Sequence, residues 1–151
     1  MRPTWDQYFM QIANIIATRS TCLRRSVGAV LVKNKRIIAT GYNGTLTKLP
    51  HCEITGCLRD KQKIPSGQRQ ELCRGMHAEA NALLFASTYG IDMHNATLYS
   101  TNQPCVSCAK MIIQAGIKKV LFEGAYPDQL ALKLFKEAKV KLVKFNGGKK
   151  S

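Results

Sequence analysis

The sequence predicts an α/β fold with three layers, in which a mixed sheet of about five strands is flanked by helices on both faces. Segments of helical character alternate with short apolar, β-branched runs along the 151 residues, in the order α-β-β-α-β-α-β-α-β. A chain of this length can bury one hydrophobic core, and no internal repeat divides it. We therefore expect residues 1–151 to form a single domain.

The N-terminal part is predicted to contain a helix followed by a β-hairpin. A capping-box pattern at residues 4–7 precedes apolar side chains at helical spacing, which predicts a helix over residues 4–17. Residues 27–32 are apolar and rich in valine, and a short polar turn brings residues 36–40 back beside them. The two strands are therefore expected to pair in antiparallel orientation.

Residues 45–75 form a long segment without clear periodicity. A loop of about 30 residues is unusual in a compact domain, and such loops tend to be functional. This one contains His51 and three cysteines, Cys52, Cys57 and Cys73. We expect a bound metal to hold the segment in place of a hydrophobic core.

The C-terminal half alternates between helices and strands. Pro104 stands at the helix start, where proline is favoured, and Gly116 is a suitable C-terminal stop for the same helix. In order, the predicted elements are helix 77–88, strand 96–100, helix 104–115, strand 119–123, helix 128–138 and strand 141–145. Residues 147–151 are expected to form a flexible tail.

The composition narrows the location and the class of ligand. The sequence has no run of about 18 apolar residues and no apolar signal-peptide core, so we expect no membrane contact and a cytoplasmic location. Six cysteines in a reducing compartment favour metal binding over disulfides. The formal net charge of +14 fits an anionic ligand, either a nucleotide phosphate or a nucleic-acid backbone.

Two short motifs together predict a catalytic metal site. His77-Ala78-Glu79 and Pro104-Cys105-Val106-Ser107-Cys108 supply one imidazole and two thiolates, which suit zinc and leave a fourth position for water. Glu79 is two residues from the histidine, so it can reach that water without binding the metal. The combination is the signature of zinc-dependent nucleobase deaminases, in which the glutamate transfers protons. Glu79 is therefore the predicted catalytic residue, and His77, Cys105 and Cys108 are the predicted zinc ligands.

The role of the other four cysteines has two possible interpretations. Cys22, Cys52, Cys57 and Cys73 are either separate buried thiols or the ligands of a second, structural zinc. Three of the four lie in the long loop that most needs a cross-link. His51 is an alternative ligand in place of one cysteine.

The chain as a whole resembles the deoxycytidylate deaminases of the cytidine deaminase superfamily, and most of all the bacterial type encoded in late-competence operons. The matching stretches run nearly from end to end. They are residues 5–10 (WDQYFM), 19–22 (RSTC), 27–30 (VGAV), 41–44 (GYNG), 51–52 (HC), 56–58 (GCL), 77–82 (HAEANA) and 104–108 (PCVSC).

The resemblance implies that the chain has the cytidine-deaminase fold and converts dCMP to dUMP for thymidylate synthesis. It also implies a hexamer that dCTP activates and dTTP inhibits, with Mg²⁺ accompanying the triphosphate. By the same analogy, the substrate is contacted by Asn43, Asn81, Ala78 and Tyr126. The implied effector contacts are Arg24, Arg25, Gly41, Tyr42 and Gly44.

Three alternatives stay open at the level of sequence. The basic insertion at residues 61–69 leaves room for a deaminase that acts on dCTP. The high positive charge also suits a deaminase of transfer RNA or single-stranded DNA, although no aromatic platform for stacking bases is evident. The third alternative is a non-enzymatic zinc protein, but such a protein has no need of a proton-transferring residue such as Glu79. Because no platform for stacking bases is evident, nucleic acid is an unlikely partner, and dCMP is the expected substrate.

Overall fold

Helices and strands alternate along most of the chain, which the computed structural model describes for residues 1–125 and 128–147. The helices are α1 (Trp5–Ala17), α2 (Cys52–Thr55), α3 (Leu58–Lys61), α4 (Ala78–Thr88), α5 (Val106–Gln114) and α6 (Gln129–Glu137). The strands are β1 (Gly28–Lys33), β2 (Arg36–Tyr42), β3 (Gly44–Thr45), β4 (Gly75–Met76), β5 (Thr97–Asn102), β6 (Lys119–Gly124) and β7 (Lys141–Lys144).

Five strands form a mixed sheet in the order β2-β1-β5-β6-β7. Strand β1 pairs antiparallel with both β2 and β5, whereas β5, β6 and β7 are parallel. The hairpin between β1 and β2 turns at Asn34 and Lys35, whose φ angles of 51° and 57° are typical of a type I′ turn. The predicted five-stranded mixed sheet and its antiparallel hairpin are confirmed.

Helices cover the two faces of the sheet unequally. On one face, Phe9, Met10 and Ala13 of α1 pack against Val30 of β1 and Leu121 of β6. On the other face, the buried side chains of α4, α5 and α6 pack against alternate residues of the same strands, among them Leu31, Leu98 and Val120. This alternation follows from the two-residue period of a strand. The three-layer arrangement predicted from the sequence is therefore confirmed.

A glycine allows α4 to lie unusually close to the sheet. A Cβ atom on Gly41 of β2 would lie 2.3 Å from the carbonyl oxygen of Ala78 and 2.5 Å from the backbone nitrogen of Ala82. Because such distances exclude any side chain, residue 41 fixes the position of the first turns of α4. The close approach at Gly41 is thus made to a helix, and Gly41 and Tyr42 both lie within β2.

The long segment at residues 45–75 has more secondary structure than the sequence suggested. Its two ends are joined by an antiparallel pair, in which Gly44 lies opposite Met76 and Thr45 opposite Gly75. Helices α2 and α3 have four residues each, and a single 3₁₀ turn follows at Gln70–Leu72. Elements of this length contain too few residues to produce a recognisable periodicity, which explains why no sequence pattern predicts them.

The two ends of the chain meet on the α1 face. Gln7 donates a side-chain hydrogen bond to the carbonyl oxygen of Gly147, at 3.5 Å. The rest of the tail predicted at 147–151 lies outside the described residues. Within residues 1–125 and 128–147, every helix is too short or too polar to cross a membrane.

Candidate active site

Two helix N-termini meet beside the end of β5 and bring the predicted zinc ligands together. His77 is the N-cap residue of α4, Cys105 is the N-cap residue of α5, and Cys108 lies in the first turn of α5. His77 and Cys105 both have extended backbone angles, which direct their side chains away from the helix axis instead of along it. His77, Cys105 and Cys108 therefore come together because each of the two motifs begins a helix, and both helices pack on the same face of the sheet.

The donor atoms of this cluster have the separations that zinc requires. The Nδ1 atom of His77 lies 3.4 Å from the Sγ of Cys105 and 3.5 Å from the Sγ of Cys108. For tetrahedral zinc, with Zn–S and Zn–N bonds of about 2.3 and 2.0 Å, the nitrogen-to-sulfur separation is about 3.5 Å. Within the described residues, this is the group of three or more possible ligands whose donor atoms all lie within 4.8 Å of one another. The three residues therefore fit a zinc ion.

Neighbouring side chains hold the ligands in this arrangement. The Nε2 of His77 lies 3.2 Å from the Oε1 of Gln70, so Nε2 carries the proton and Nδ1 is left free to bind metal. Asp128 caps α6 by accepting from the backbone nitrogen of Ala131 at 3.0 Å. Its other oxygen accepts from the backbone nitrogen of Val106 at 2.8 Å, and this bond fixes the end of α5 that bears Cys105.

Glu79 is buried beside the ligand cluster and is held by a hydrogen bond. Only 4% of the residue is exposed, and its Oε1 accepts from the hydroxyl of Ser100 at 3.0 Å. Its Oε2 faces the metal ligands, at 3.8 Å from the Sγ of Cys108. Burial in this site raises the pKa of Glu79, which makes it a better proton acceptor than an exposed carboxylate. One carboxylate oxygen is thus fixed by Ser100 while the other faces the candidate metal ligands.

The charges of the two thiols depend on each other. The pKa of Cys105 is lowered to about 4, chiefly because Cys108 donates a hydrogen bond to its thiolate, and His77 contributes in the same direction. The same hydrogen bond, together with burial, raises the pKa of Cys108. Its hydrogen bond to Cys105 likewise raises the pKa of His77, whereas burial and the charge of Arg59 act in the opposite direction. The cluster therefore favours positive charge at its centre, as a cation site must.

A single cleft is lined by His77 and Cys105 of the cluster and by about half of the residues expected to contact ligands. Asn43 and Ala78 of the predicted substrate set line it together with His77 and Glu79. Arg24, Arg25 and Gly44 of the predicted effector set also line it. The structure does not place Asn81, Gly41 or Tyr42 in the cleft wall. Tyr126 lies outside the described residues.

Both predicted sugar-binding asparagines make hydrogen bonds to the backbone. The Oδ1 of Asn43 accepts from the backbone nitrogen of Val27 at 2.8 Å, and its Nδ2 donates to the carbonyl oxygen of Arg25 at 2.7 Å. The Nδ2 of Asn81 donates to the carbonyl oxygen of Tyr42 at 2.8 Å, which ties α4 to β2. In this conformation both side chains stabilise the frame of the cleft, and their contact with a sugar stays a prediction.

The second cysteine set lines the same cleft but does not converge as the first set does. Cys22, Cys52, Cys57 and Cys73 are half-buried and all contribute to the cleft wall, whereas His51 does not. Cys52 accepts a hydrogen bond from Thr45 at 3.7 Å, and Cys73 accepts one from the backbone nitrogen of Gly75 at 3.4 Å. In the part of the chain that the structure describes, no three of these donor atoms lie within 4.8 Å of one another.

Four residues near the site were not singled out by the sequence analysis. They are Gln70, Ser100, Asp128 and Arg59. Asp128 was recognised only as a helix start, and the sequence carries no sign that its second oxygen binds another helix. The other three belong to no motif and reach the site only through the tertiary fold.

Comparison with known proteins agrees with this geometry. Residues 3–123 match the family model described as the cytidine and deoxycytidylate deaminase zinc-binding region. The chain belongs to this family. The match and the His77–Cys105–Cys108 group together identify a zinc-binding deaminase site.

Individual relatives carry more specific names. A deoxycytidylate deaminase of Schizosaccharomyces pombe is 44% identical over 83% of this chain, and ComE operon protein 2 of Bacillus subtilis is 43% identical over 92% of it. The chain spans only 38% of the length of the S. pombe protein and 70% of the B. subtilis protein.

The fold agrees with that of a solved deaminase. A crystal structure of dCMP deaminase from the cyanophage S-TIM5, in complex with dCMP and dUMP, is similar with a TM-score of 0.80 and 31% identity. The similarity covers 96% of this chain and 99% of the phage chain. The expected resemblance to deoxycytidylate deaminases, including the competence-operon type, is therefore confirmed.

Proposed function

We propose that this chain deaminates dCMP hydrolytically, giving dUMP and ammonia. The observation that carries the proposal is a buried glutamate, Glu79, whose free oxygen faces a group of one imidazole and two thiolates suited to zinc. The names of the relatives and of the solved phage enzyme support dCMP as the substrate. The product dUMP would serve thymidylate synthesis.

The roles of the residues follow from their positions. Zinc, when bound by His77, Cys105 and Cys108, supplies a Lewis acid that makes water nucleophilic near neutral pH. Glu79 would accept a proton from the attacking water and pass it to the ring nitrogen N3 while the hydroxide adds to C4. Glu79 would then take the proton of the new C4 hydroxyl and give it to the amino group, so that the C4–N4 bond breaks, the carbonyl forms and ammonia leaves. Ser100 holds one oxygen of Glu79, so the other oxygen is left to move the proton. The burial of Glu79 keeps bulk water away from these transfers.

The test is a measurement of the ultraviolet absorbance loss that accompanies deamination, with the purified, zinc-loaded chain. We would offer dCMP, dCTP, deoxycytidine and a cytosine-containing oligonucleotide in parallel. Turnover of dCMP that Glu79→Gln abolishes while zinc is retained would support the proposal. Glu137→Gln is the matched control, because this exposed glutamate on α6 is remote from the cluster. Activity on the oligonucleotide alone would reject dCMP as the substrate.

We propose that Cys22, Cys52, Cys57 and Cys73 hold a second, structural zinc. Their common position in one cleft wall supports this, and closing the four thiols around a metal would link the α1–β1 connection, α2, the start of α3 and the 3₁₀ turn. Zinc content measured by mass spectrometry should be two per chain, falling to one in the Cys57→Ser variant. A content of one per chain in the unaltered protein would reject the second site.

Regulation and assembly are proposed from the resemblance. We expect a hexamer that dCTP with Mg²⁺ activates and dTTP inhibits, with Arg24 and Arg25 in the cleft wall as the candidate effector contacts. An exposed apolar face on α4 supports self-association, since Leu84, Phe85 and Tyr89 are 49%, 47% and 69% exposed. Light scattering, with and without dCTP, tests the assembly. A cytoplasmic location stays a prediction from the sequence.

A further inference from the structure

A buried arginine lines the candidate active-site cleft, and no carboxylate among the described residues forms an ion pair with it. Arg59 of α3 is only 7% exposed, and its side chain contributes to the same wall as His77 and Glu79. Its Nη2 atom donates to the carbonyl oxygen of Pro65 at 3.4 Å. Its Nε atom is buried and has no acceptor among the described residues.

Neighbouring arginines differ from Arg59 in having carboxylate partners. Arg24 binds Asp60 at 2.6 Å, and Arg69 binds Glu71. Across the described ranges, no carboxylate oxygen lies within 4.0 Å of the Arg59 guanidinium. A buried charge costs much free energy unless it is paired and hydrogen-bonded, so an unpaired guanidinium in a cleft indicates that an anion completes it.

A second buried donor in the cleft also has no acceptor. Gln103, which precedes Pro104 and the ligand Cys105, is 7% exposed, and its Nε2 has no partner among the described residues. Gln103 and Arg59 line one cavity together with Glu79. A cleft with unsatisfied donors on its walls suits a ligand that is rich in acceptor oxygens.

We propose that the guanidinium of Arg59 binds the 5′-phosphate of the substrate and thereby selects nucleotides over nucleosides. The inference rests on the proposed deamination of dCMP and adds the residue that recognises its phosphate. Arginine suits this role because its planar group forms paired, charge-assisted hydrogen bonds with phosphate oxygens. The bond to Pro65 occupies Nη2 and orients the guanidinium within the wall of the cleft, while Nε has no acceptor among the described residues.

The decisive comparison is between phosphorylated and unphosphorylated ligands. We would measure kcat and KM for dCMP, dCTP and deoxycytidine with the zinc-loaded full chain, its Arg59→Gln variant and its Arg59→Lys variant. Arg69→Gln is the matched control, because it removes one positive charge from an exposed residue of the same segment that does not line the cleft. Calorimetric binding of dUMP and of deoxyuridine provides a readout that does not depend on turnover.

In Arg59→Gln we expect KM for dCMP to rise about 10- to 100-fold, as loss of a charge-assisted hydrogen bond predicts. Binding of dUMP should weaken by the same factor. The kcat/KM for deoxycytidine, the binding of deoxyuridine and the Arg69→Gln control should each change less than about threefold. Arg59→Lys should fall between the unaltered chain and Arg59→Gln, because a lysine keeps the charge and loses the paired donors.

Other outcomes overturn the proposal in recognisable ways. Equal losses for dCMP and deoxycytidine would show that Arg59 only holds the segment around Pro65. A loss confined to activation by dCTP would place the anion in an effector site. If the unaltered chain does not deaminate dCMP, the proposed function fails, yet the comparison of dUMP with deoxyuridine still tests Arg59. If Arg59→Gln does not fold, Arg59→Lys must show the selective weakening, and its absence there rejects the proposal.

Discussion

Removing the hydroxyl of Ser100 tests whether the position of Glu79 is controlled by the sheet. Ser100 is fully buried in β5, and its hydroxyl donates to the Oε1 of Glu79 at 3.0 Å. The Ser100→Ala substitution removes one oxygen atom and leaves the backbone and the small volume of the site nearly unchanged. Glu79 would then lose the donor that fixes one of its two oxygens.

The magnitude follows from the type of hydrogen bond. A hydrogen bond to a charged group contributes about 1.5–3 kcal/mol, which corresponds to a factor of about 10 to 150. Since the bond positions a proton-transfer group and contacts no substrate, the loss should appear in kcat with KM nearly unchanged. Ser100→Thr keeps a hydroxyl and should restore part of the rate.

The assay is steady-state deamination with zinc content measured on the same samples. Thr101→Val is the matched control: Thr101 is also a buried hydroxyl of β5, but it accepts from the backbone nitrogen of Gly28 at 3.1 Å and faces away from Glu79. The control should lower the melting temperature and leave kcat intact. A Ser100→Ala variant that contains zinc and keeps its kcat within twofold would refute the reasoning.

Three further perturbations test the frame of the site. Gly41→Ala places a methyl group 2.3 Å from the carbonyl oxygen of Ala78. The resulting overpacking should lower the free energy of unfolding by about 1–3 kcal/mol, as measured by chemical denaturation, and a smaller change would contradict the close packing. Asp128→Ala removes the cap of α6 and the hydrogen bond to Val106, so it should lower the free energy of unfolding by about 1 kcal/mol. It should also make the protein lose zinc more readily to a chelator. Unchanged zinc retention would show that α6 does not support the metal site. Burial and the hydrogen bond to Asp6 raise the pKa of Tyr99. The stability that the neutral Tyr99 contributes is therefore complete below the pKa of about 10 that tyrosine has in the unfolded chain, and it is lost as the pH rises above that value. Melting temperatures between pH 8 and 11 should therefore decline less steeply in Tyr99→Phe, and equal slopes would contradict the assignment.

The sequence was sufficient to predict that His77, Cys105 and Cys108 lie together, because each motif also encodes its own local structure. His77 and Cys105 each stand at a helix start, and Cys108 follows three residues later on the same helix face. When two such helices begin side by side on one face of a sheet, their first residues lie close together, and the conformation of the loops has little effect on this. The five strands were recognisable for a similar reason, since their apolar runs are long enough to show a period or a boundary.

The residues that surround the ligands were not predictable, because no local pattern refers to them. Ser100 reaches Glu79 from a strand 21 positions later, and Gln70 reaches His77 from a 3₁₀ turn that has no periodicity. The bond from Asp128 to Val106 joins two helices whose relative position is known only once the sheet has formed. Each of these contacts is a property of tertiary packing.

The division between predictable and unpredictable parts matches a division of function in the cleft. The two helix ends that carry the candidate zinc ligands are held differently, because Gly41 lets α4 pack closely on the sheet and Asp128 ties the start of α5 to α6. The wall that faces the ligand is formed largely by the segment between β3 and β4, which supplies Arg59 and three of the four remaining cysteines. This segment has few buried apolar residues of its own, so its shape depends on the β3–β4 pair, on short helices and, as proposed, on a metal. Sequence changes in this segment can therefore alter the wall of the cleft without altering the hydrogen bond between Ser100 and Glu79.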